Sequence, residues 1–406
     1  MDFDDTPEEA AYRVEARAWL EGHARRRTDD ENSLARFLRR GDSEAHVKAC
    51  KEWQRTLYDN GWAGITWPEE YGGRGGKALQ QAVFNQEQAK FDVSTGVFAV
   101  GIGMVGPTLI AHGTEEQKKR FLDPMLRGDE VWCQLFSEPG AGSDLAGLST
   151  RAVRDGDEWV VNGQKVWNSG AHYSDWGILL ARTNLEAPKH KGITFFVVDM
   201  TTPGIDVRPL RQINGAAHFN EVFLTDVRIP AENVVGEVDG GWGVAHTTLA
   251  NERTLIGGGH GGPGAREIAR FARSVGRAGD PVVRQGIAAA FARQEILKYL
   301  GYRTFTALSQ GRLPGPEASV MKLGMSQHVT LTGDLVLAVS GAHGMLIGDD
   351  APAEGLWQQQ FLNQFTIKIG GGTDQIQRNV MGERVLGLPP EPRTDKDVPF
   401  NQLGRI

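Results

Sequence analysis

Apolar residues in the first third of the chain recur every three or four positions, the period of a helix with one buried face. Thr6, Pro7 and Glu9 form a capping-box start with proline at the first helical position, and Ala11, Val14 and Ala18 follow on one predicted face. Val47, Cys50, Trp53 and Leu57 repeat the pattern on a second helix, which Gly61 can end. Helical stretches follow in "LQQAVFNQEQAKF" and "GVFAVGIGMVGPTLIAHG", and Thr114 with Gln117 makes another capping box ahead of "EEQKKRFLDPML". This pattern predicts an α-helical domain over residues 1–129.

From Glu130 the period shortens to two. Asp155-Gly156 and Asn162-Gly163 are dipeptides that favour tight hairpin turns, because both central positions need positive φ. "WGILLART", "ITFFVVDM", "IDVRPL" and "NEVFLTDVRIP" read as further strands, so residues 130–236 are expected to form an antiparallel β domain. After "GEVDGGWGVA" long apolar helical segments return, broken by brief Gly and Pro runs, and predict an antiparallel helix bundle over 237–406.

Composition and charge narrow the function. With 44 basic against 51 acidic residues, the chain has no electrostatic footprint for nucleic acid or an anionic membrane. Its 406 residues suffice for a large core, more than an isolated binding module needs. Cys50 and Cys133 are too few for a disulfide framework and stand at no metal-ligand spacing with His, so no metal is expected and a reducing compartment fits. The acidic start "MDFDDTPEEAAYR" lacks a basic stretch followed by an apolar run, and no uninterrupted apolar segment of about 18 residues occurs. A cytoplasmic chain without membrane insertion is expected. Glycine, 52 of 406, is enriched, yet it clusters in short runs between patterned segments, which excludes low-complexity linker sequence.

Two stretches carry candidate chemistry. In "QLFSEPGAGSDLAG", Gln134 to Gly147, small residues let backbone amides approach a ligand, while Ser137, Ser143 and Asp144 supply hydrogen bonds. Alone it reads as a turn, matching neither a Walker loop nor the G-x-G-x-x-G fingerprint. In "NGQKVWNSGAHYSDW", Trp167 offers a flat apolar face and Ser169 is expected on the same side of a strand, so a ring and a hydroxyl could flank one planar ligand. A core tryptophan beside a solvated serine is the plainer alternative.

"SEPGAGSD", "NGQKVW", "FNEVFLTDVRIPAENVVGEVDGGWGVA" and "GGTDQIQRNVMGERVLGLP" stand in the order and spacing of the acyl-CoA dehydrogenase family, which the chain resembles from Thr6 to Pro389. The resemblance implies a fold that is mainly α with a central antiparallel β domain, in three parts: an α domain, a β-barrel and a C-terminal four-helix bundle. It implies FAD as cofactor and a homotetramer or homodimer, with a heterotetramer also open. Carried over by motif, Gln134, Leu135, Phe136, Ser137, Gly142 and Ser143 look like the flavin-contacting loop, with Ser143 also near the CoA thioester arm. Trp167 stands where the family covers the isoalloxazine, Asn168 replaces a usual isoleucine, and Ser169 stands where a threonine hydroxyl usually lies near flavin N5. Gly372, Thr373, Asp374 and Gln375 match the segment that meets the FAD pyrophosphate region.

The implied reaction is α,β-dehydrogenation of an acyl-CoA thioester, with electrons passed to an electron-transfer flavoprotein. Where most members of the family carry the catalytic glutamate, this chain has Gly371, which keeps its N–H and so the role of backbone donor to the enolate oxygen. Two branches of the family place the glutamate in an acidic-Arg pair on the helix after the β domain, and Glu252-Arg253 in "TTLANERTLIGGG" match that pair. Glu252 is therefore the candidate base and Arg253 a substrate-binding or orienting residue. Asp374 is the next candidate, and Glu383 reads as structural. Ala338 stands where many members place a glutamine that touches a neighbouring subunit's FAD, and Arg273 and Arg277 are alternative adenosine contacts. The run "GGGHGGPG", Gly257 to Gly264, is expected to break the helix because each glycine there costs about 1 kcal/mol against alanine. It is read either as a gate on the acyl pocket or as a loop without substrate contact, with His260 solvated. Two other readings stay open: a non-catalytic or half-site subunit of a heteromeric dehydrogenase, and a flavin oxidase or monooxygenase on the same fold. Chain length and shape of the acyl group do not follow from fold.

Overall fold

The computed structural model describes residues 5–27, 43–257, 263–309, 318–392 and 395–403. They divide into two bodies: the described residues of 1–24, 42–252 and 391–406 form one, and those of 25–41 and 253–390 the other. Helices precede and follow a curled sheet, as the resemblance implies.

In the first body, α1 (Pro7–His23), α2 (Glu44–Asp59), α3 (Ala78–Gln88), α4 (Gly106–His112) and α5 (Glu115–Arg127) come first. Both expected capping boxes are formed: the Thr6 and Thr114 hydroxyls accept from the amides of Glu9 and Gln117, whose side chains accept in return. The buried face of α1 differs from the expected one. Ala16 and Leu20 are buried with Tyr12 and Trp19 beside them, while Ala11, Val14 and Ala18 are exposed. The aromatic rings decide the face: Trp19 lies 5.7 Å from Trp53 and 5.5 Å from Trp62, and such rings bury far more area than alanine. Arg13 and Arg17 of α1 also reach Glu87 of α3, joined by Lys90. Burial alone would raise that carboxyl, but the three cations bring it down to about 2.

The sheet follows in strands β1 (Trp132–Leu135), β2 (Arg151–Asp155), β3 (Glu158–Ser169), β4 (Trp176–Arg182), β5 (Ile193–Asp199), β6 (Ile205–Leu210) and β7 (Phe219–Pro230). Its order is β1-β4-β2-β3-β7-β6, with β5 paired to β4. Most pairs are antiparallel, and β1 adds parallel to β4 because the β2–β3 hairpin supplies the long crossover that a parallel pair requires. Strands β4 and β5 read as continuous apolar runs because both their faces are covered. Ile178, Leu180, Phe195 and Val197 join the core shared with the helices, while Leu179, Ala181, Phe196 and Val198 join a core enclosed by the sheet.

Asp155-Gly156 makes the β2–β3 turn, with Gly156 at φ 62°. Asn162-Gly163, expected as a second turn, instead lies inside β3 at a register shift against β7. Asn162 exchanges two 2.9 Å hydrogen bonds with Asp226, and a Cβ on Gly163 would lie 2.4 Å from Thr150 Oγ1. Here glycine serves close approach of two chain segments, and its turn propensity is overridden.

The second body contains α7 (Ala265–Ser274), α8 (Pro281–Ser309), α9 (Ala318–Ser340), α10 (Leu356–Ile369) and α11 (Asp374–Val380). Ile268, Phe271, Val283, Ala290, Val336 and Trp357 anchor its core. Between the bodies in sequence runs α6 (Gly241–Gly257), whose residues up to Glu252 belong to the first. Residues 258–262 of the glycine run, His260 among them, lie outside the described residues, and with them the gating idea. Among the described residues no helix is long and apolar enough to cross a membrane, and no group of three His, Cys, Asp or Glu side chains is placed to hold a metal.

The start of α6 requires glycine: a Cβ on Gly241 would meet Phe195 N at 2.4 Å and the Thr194 carbonyl carbon at 2.6 Å. Gly241→Ala should cost about 1–3 kcal/mol in urea unfolding. Gly243→Ala, whose Cβ meets nothing within 4 Å, should be neutral or stabilising.

Candidate functional site

The connector after β1 is held from inside. Glu138 and Lys165 are buried and paired at 2.8 Å, and the Lys165 ammonium also donates to the Phe136 carbonyl at 3.0 Å. The second Glu138 oxygen accepts from the Ser149 amide at 2.7 Å and its hydroxyl at 2.9 Å, while the first also takes the Thr150 amide at 2.9 Å. Burial works to raise the Glu138 carboxyl, but the Lys165 charge and these donors outweigh it and hold it below the usual carboxylate range. Burial likewise lowers the Lys165 ammonium below its ordinary value, and the Glu138 charge opposes that fall.

Around this pair the candidate residues take defined places. Leu135 and Phe136 turn their side chains into the core and can offer a ligand only backbone. The Ser137 carbonyl accepts from Val166 N at 2.9 Å. Gly142 and Ser143 are exposed, and their amides donate to nothing among the described residues. On β3 a second register shift, between Val166 and Asn168, pushes Trp167 out at φ 64°. A tryptophan in the left-handed region carries strain of about 1–2 kcal/mol. The indole is nonetheless 58% exposed, with the Phe219 ring edge-on to it at 6.0 Å between centroids. Ser169 is exposed too, while Asn168 between them is buried and donates to the Gln134 carbonyl at 2.7 Å. Asn220 locks the bulge by donating to the Asn168 carbonyl at 2.8 Å. Asn168 Oδ1 is buried without a hydrogen-bond partner among the described residues.

Glu252 is half-buried on α6. The helix is fixed before it by Asp239, whose amide donates to Thr194 Oγ1 at 2.9 Å, and by two contacts with α4. These are Thr248 Oγ1 to Thr108 Oγ1 at 2.9 Å and Thr247 Oγ1 to His112 Nε2 at 2.8 Å. Arg253 follows within the helix, and its side chain lies outside the described residues.

In the second body, the turn from α10 to α11 contains Gly371 at φ 66° and Gly372 at φ 83°. Gln377 donates to the Gly371 carbonyl at 2.9 Å, and Thr373 caps α11 by accepting from Ile376 N. The Gly371 N–H donates to nothing among the described residues. Asp374 spends its oxygens on Ser326 Oγ at 3.0 Å and the buried Lys322 Nζ at 3.5 Å, while Gln375 is exposed.

FAD fits what the first body presents: a bare aromatic face, exposed amide donors at Gly142 and Ser143, a hydroxyl at Ser169 and an orphan acceptor at Asn168. Sequence reasoning singled out neither Glu138 nor Lys165 as the pair beneath that surface. Their signal was present, an acid inside "SEPG" and a lysine where β3 should turn inward.

Models of the acyl-CoA dehydrogenase N-terminal, middle and C-terminal domains match residues 6–129, 133–227 and 239–386. Acyl-CoA dehydrogenase IpdE1 of Mycobacterium tuberculosis is 37% identical over 389 residues, covering 94% of this chain and 98% of the relative. Acyl-CoA dehydrogenase FadE34 of the same organism is 42% identical over 348 residues, 85% of this chain, and the chain spans about half (47%) of that relative's length. A solved structure titled Tcur3481-Tcur3483 steroid ACAD has a TM-score of 0.81 at 32% identity, covering 96% of this chain and all of that one. The ChsE4-ChsE5 complex from Mycobacterium tuberculosis has a TM-score of 0.76 at 31% identity, covering 96% of this chain and 100% of that chain.

Glu138→Gln or Lys165→Met, each stranding one buried charge, should cost about 3–5 kcal/mol in urea unfolding at pH 7. The folded-state value of Glu138 lies below its unfolded value, so its contribution is present above the ordinary carboxylate pKa and is lost as pH falls through the folded one. The gap between wild type and Glu138→Gln should therefore narrow below about pH 4. A gap that stays constant with pH would contradict the ionised pair.

Proposed function

The chain belongs to the acyl-CoA dehydrogenase family, and from that membership we propose that Glu252 is the base that takes the α-proton of its acyl-CoA substrate. FAD is the cofactor, and when bound it supplies the acceptor for the hydride lost from the β-carbon. All the remaining work falls to side chains and backbone.

A thioester α-proton is far too weakly acidic for a carboxylate in water, so a base must be placed and the developing enolate oxygen stabilised. The assignment to Glu252 is carried by one observation, the state of position 371. It is a glycine at positive φ with no carboxylate to offer, although its N–H, which donates to nothing among the described residues, could serve the enolate oxygen. Asp374, the other acid nearby in sequence, has both oxygens engaged by Ser326 and Lys322. Glu252 sits on a helix held by hydroxyl contacts one turn earlier, which favours a fixed carboxylate. In this reading Trp167 and Ser169 would hold the flavin ring system. Gly142 and Ser143 meet the cofactor and the thioester arm, and Arg253 orients substrate or carboxylate. Gly372, Thr373 and Gln375 meet the pyrophosphate region. Electrons pass on to an electron-transfer flavoprotein.

For the acyl group we favour a bulky, steroid-derived acid, supported by the steroid ACAD of similar fold at 32% identity. A second reading is favoured by two solved relatives, Tcur3481-Tcur3483 and the ChsE4-ChsE5 complex, each named as a pair of proteins. In it this chain is one subunit of a heteromeric dehydrogenase, and another chain completes its flavin site.

Glu252→Gln should retain full flavin content yet lower the rate of anaerobic flavin bleaching by acyl-CoA esters, steroid-derived ones included, by about 10²–10⁴-fold. A mutant that bleaches as fast as wild type would remove Glu252 as base. A colourless wild-type chain when purified alone would favour the heteromeric reading.

A further inference from the structure

Past the second body the chain returns to the first, and the segment Asp395–Leu403 lies along the loop that joins β4 to β5. Phe400 N donates to the Ala187 carbonyl at 3.0 Å, Asn401 N to the Leu185 carbonyl at 2.9 Å, and Pro399 forms a bridge with Pro188. Beneath the segment, Arg182 is buried and donates to three carbonyls: Leu148 at 3.1 Å, Lys189 at 3.1 Å and Ala146 at 2.6 Å. The Phe400 ring covers this guanidinium, its centroid 3.6 Å from Cζ. Burial draws Arg182 down to about 10.

A second link runs through Lys189. Its ammonium lies 2.9 Å from Asp144 Oδ2 and 2.6 Å from Asp395 Oδ2, so one cation joins the segment to the residue directly after Ser143. Exposed ion pairs contribute little singly, about 0–1 kcal/mol. Backbone bonds, an aromatic cover and a shared cation acting on the same stretch are a stronger constraint, and a chain end not tied down in this way frays.

We propose that Asp395–Leu403 is a strap that, through Phe400 on Arg182 and Asp395 on Lys189, positions the Ser143–Leu148 connector for binding the thioester arm of acyl-CoA. Lys189, Arg182 and Phe400 are positioning residues, and none need touch substrate. The proposal rests on the reading of Ser143 given above and adds an element more than 240 residues away in sequence.

Hydrogen exchange on the full chain without substrate tests the strap apart from the chemistry. The Gly147 and Leu148 amides, which donate to the carbonyls of Asp144 and Leu145, are the probes. Phe400→Ala should speed their exchange about tenfold while leaving the β4–β5 amides unchanged. It should also raise acyl-CoA KM about three- to tenfold with kcat and flavin content within about twofold of wild type. Asp395→Asn should act in the same direction and add nothing in a Lys189→Met background. Unchanged exchange at Gly147 and Leu148 in both Phe400→Ala and Asp395→Asn would overturn the proposal, as would exchange that rises equally along the whole chain. A wild-type flavin that no acyl-CoA bleaches would instead count against the dehydrogenase reading, whatever the exchange result.

Discussion

The organisation of the first body depends on a buried ion pair, Glu138 with Lys165. Taking two charges out of water costs several kcal/mol, and the cost is met only where geometry and extra hydrogen bonds are good. Here the carboxylate takes four donors and the ammonium a second acceptor. The consequence is positional. The pair pins the connector after β1 to the middle of β3, so the connector's exposed amides and the β3 bulge that presents Trp167 keep one fixed spacing. A hydrophobic pair of equal volume could fill the same space, but it would not hold the Phe136, Ser149 and Thr150 backbone groups in place.

A second constraint lies in the backbone at position 371. Two glycines at positive φ and a Gln377 clamp shape the turn before α11, and a side chain at 371 would have to be carried in a strained region. A carboxylate at 371 would have to be held against that strain, which supports the proposal that the base's task lies elsewhere. Helix α6 suits that task, because its glycine start packs directly on β5 and its threonines lock onto α4. The strap at Asp395–Leu403 extends the same logic, using a late segment of the chain to fix an early loop.

Much of this was legible in the sequence, and the failures have definite causes. Local rules held where local contacts decide: the capping boxes at Thr6 and Thr114 and the Asp155-Gly156 turn formed as read. They failed where a distant partner decides. The α1 face was set by aromatic rings beyond the helix, Trp53 and Trp62 among them, and Asn162-Gly163 was drawn into a strand by Thr150 and Asp226. Strands β4 and β5 formed where read, although both their faces are covered and their apolar runs are continuous. The order of motifs identified the family, but nothing local could show that Glu138 and Lys165 meet or that Phe400 returns to Arg182.

The central claim, that proton abstraction belongs to Glu252, is tested most directly by separating it from oxidation. An acyl-CoA analogue with sulfur in place of the β-carbon can lose its α-proton but cannot give up a hydride. Incubated in deuterated buffer with the flavin-loaded protein, it should acquire deuterium at the α-carbon with wild type and with Asp374→Asn, and fail to do so with Glu252→Gln. Exchange that persists in Glu252→Gln and disappears in Asp374→Asn would contradict the account and move the base to the α11 turn.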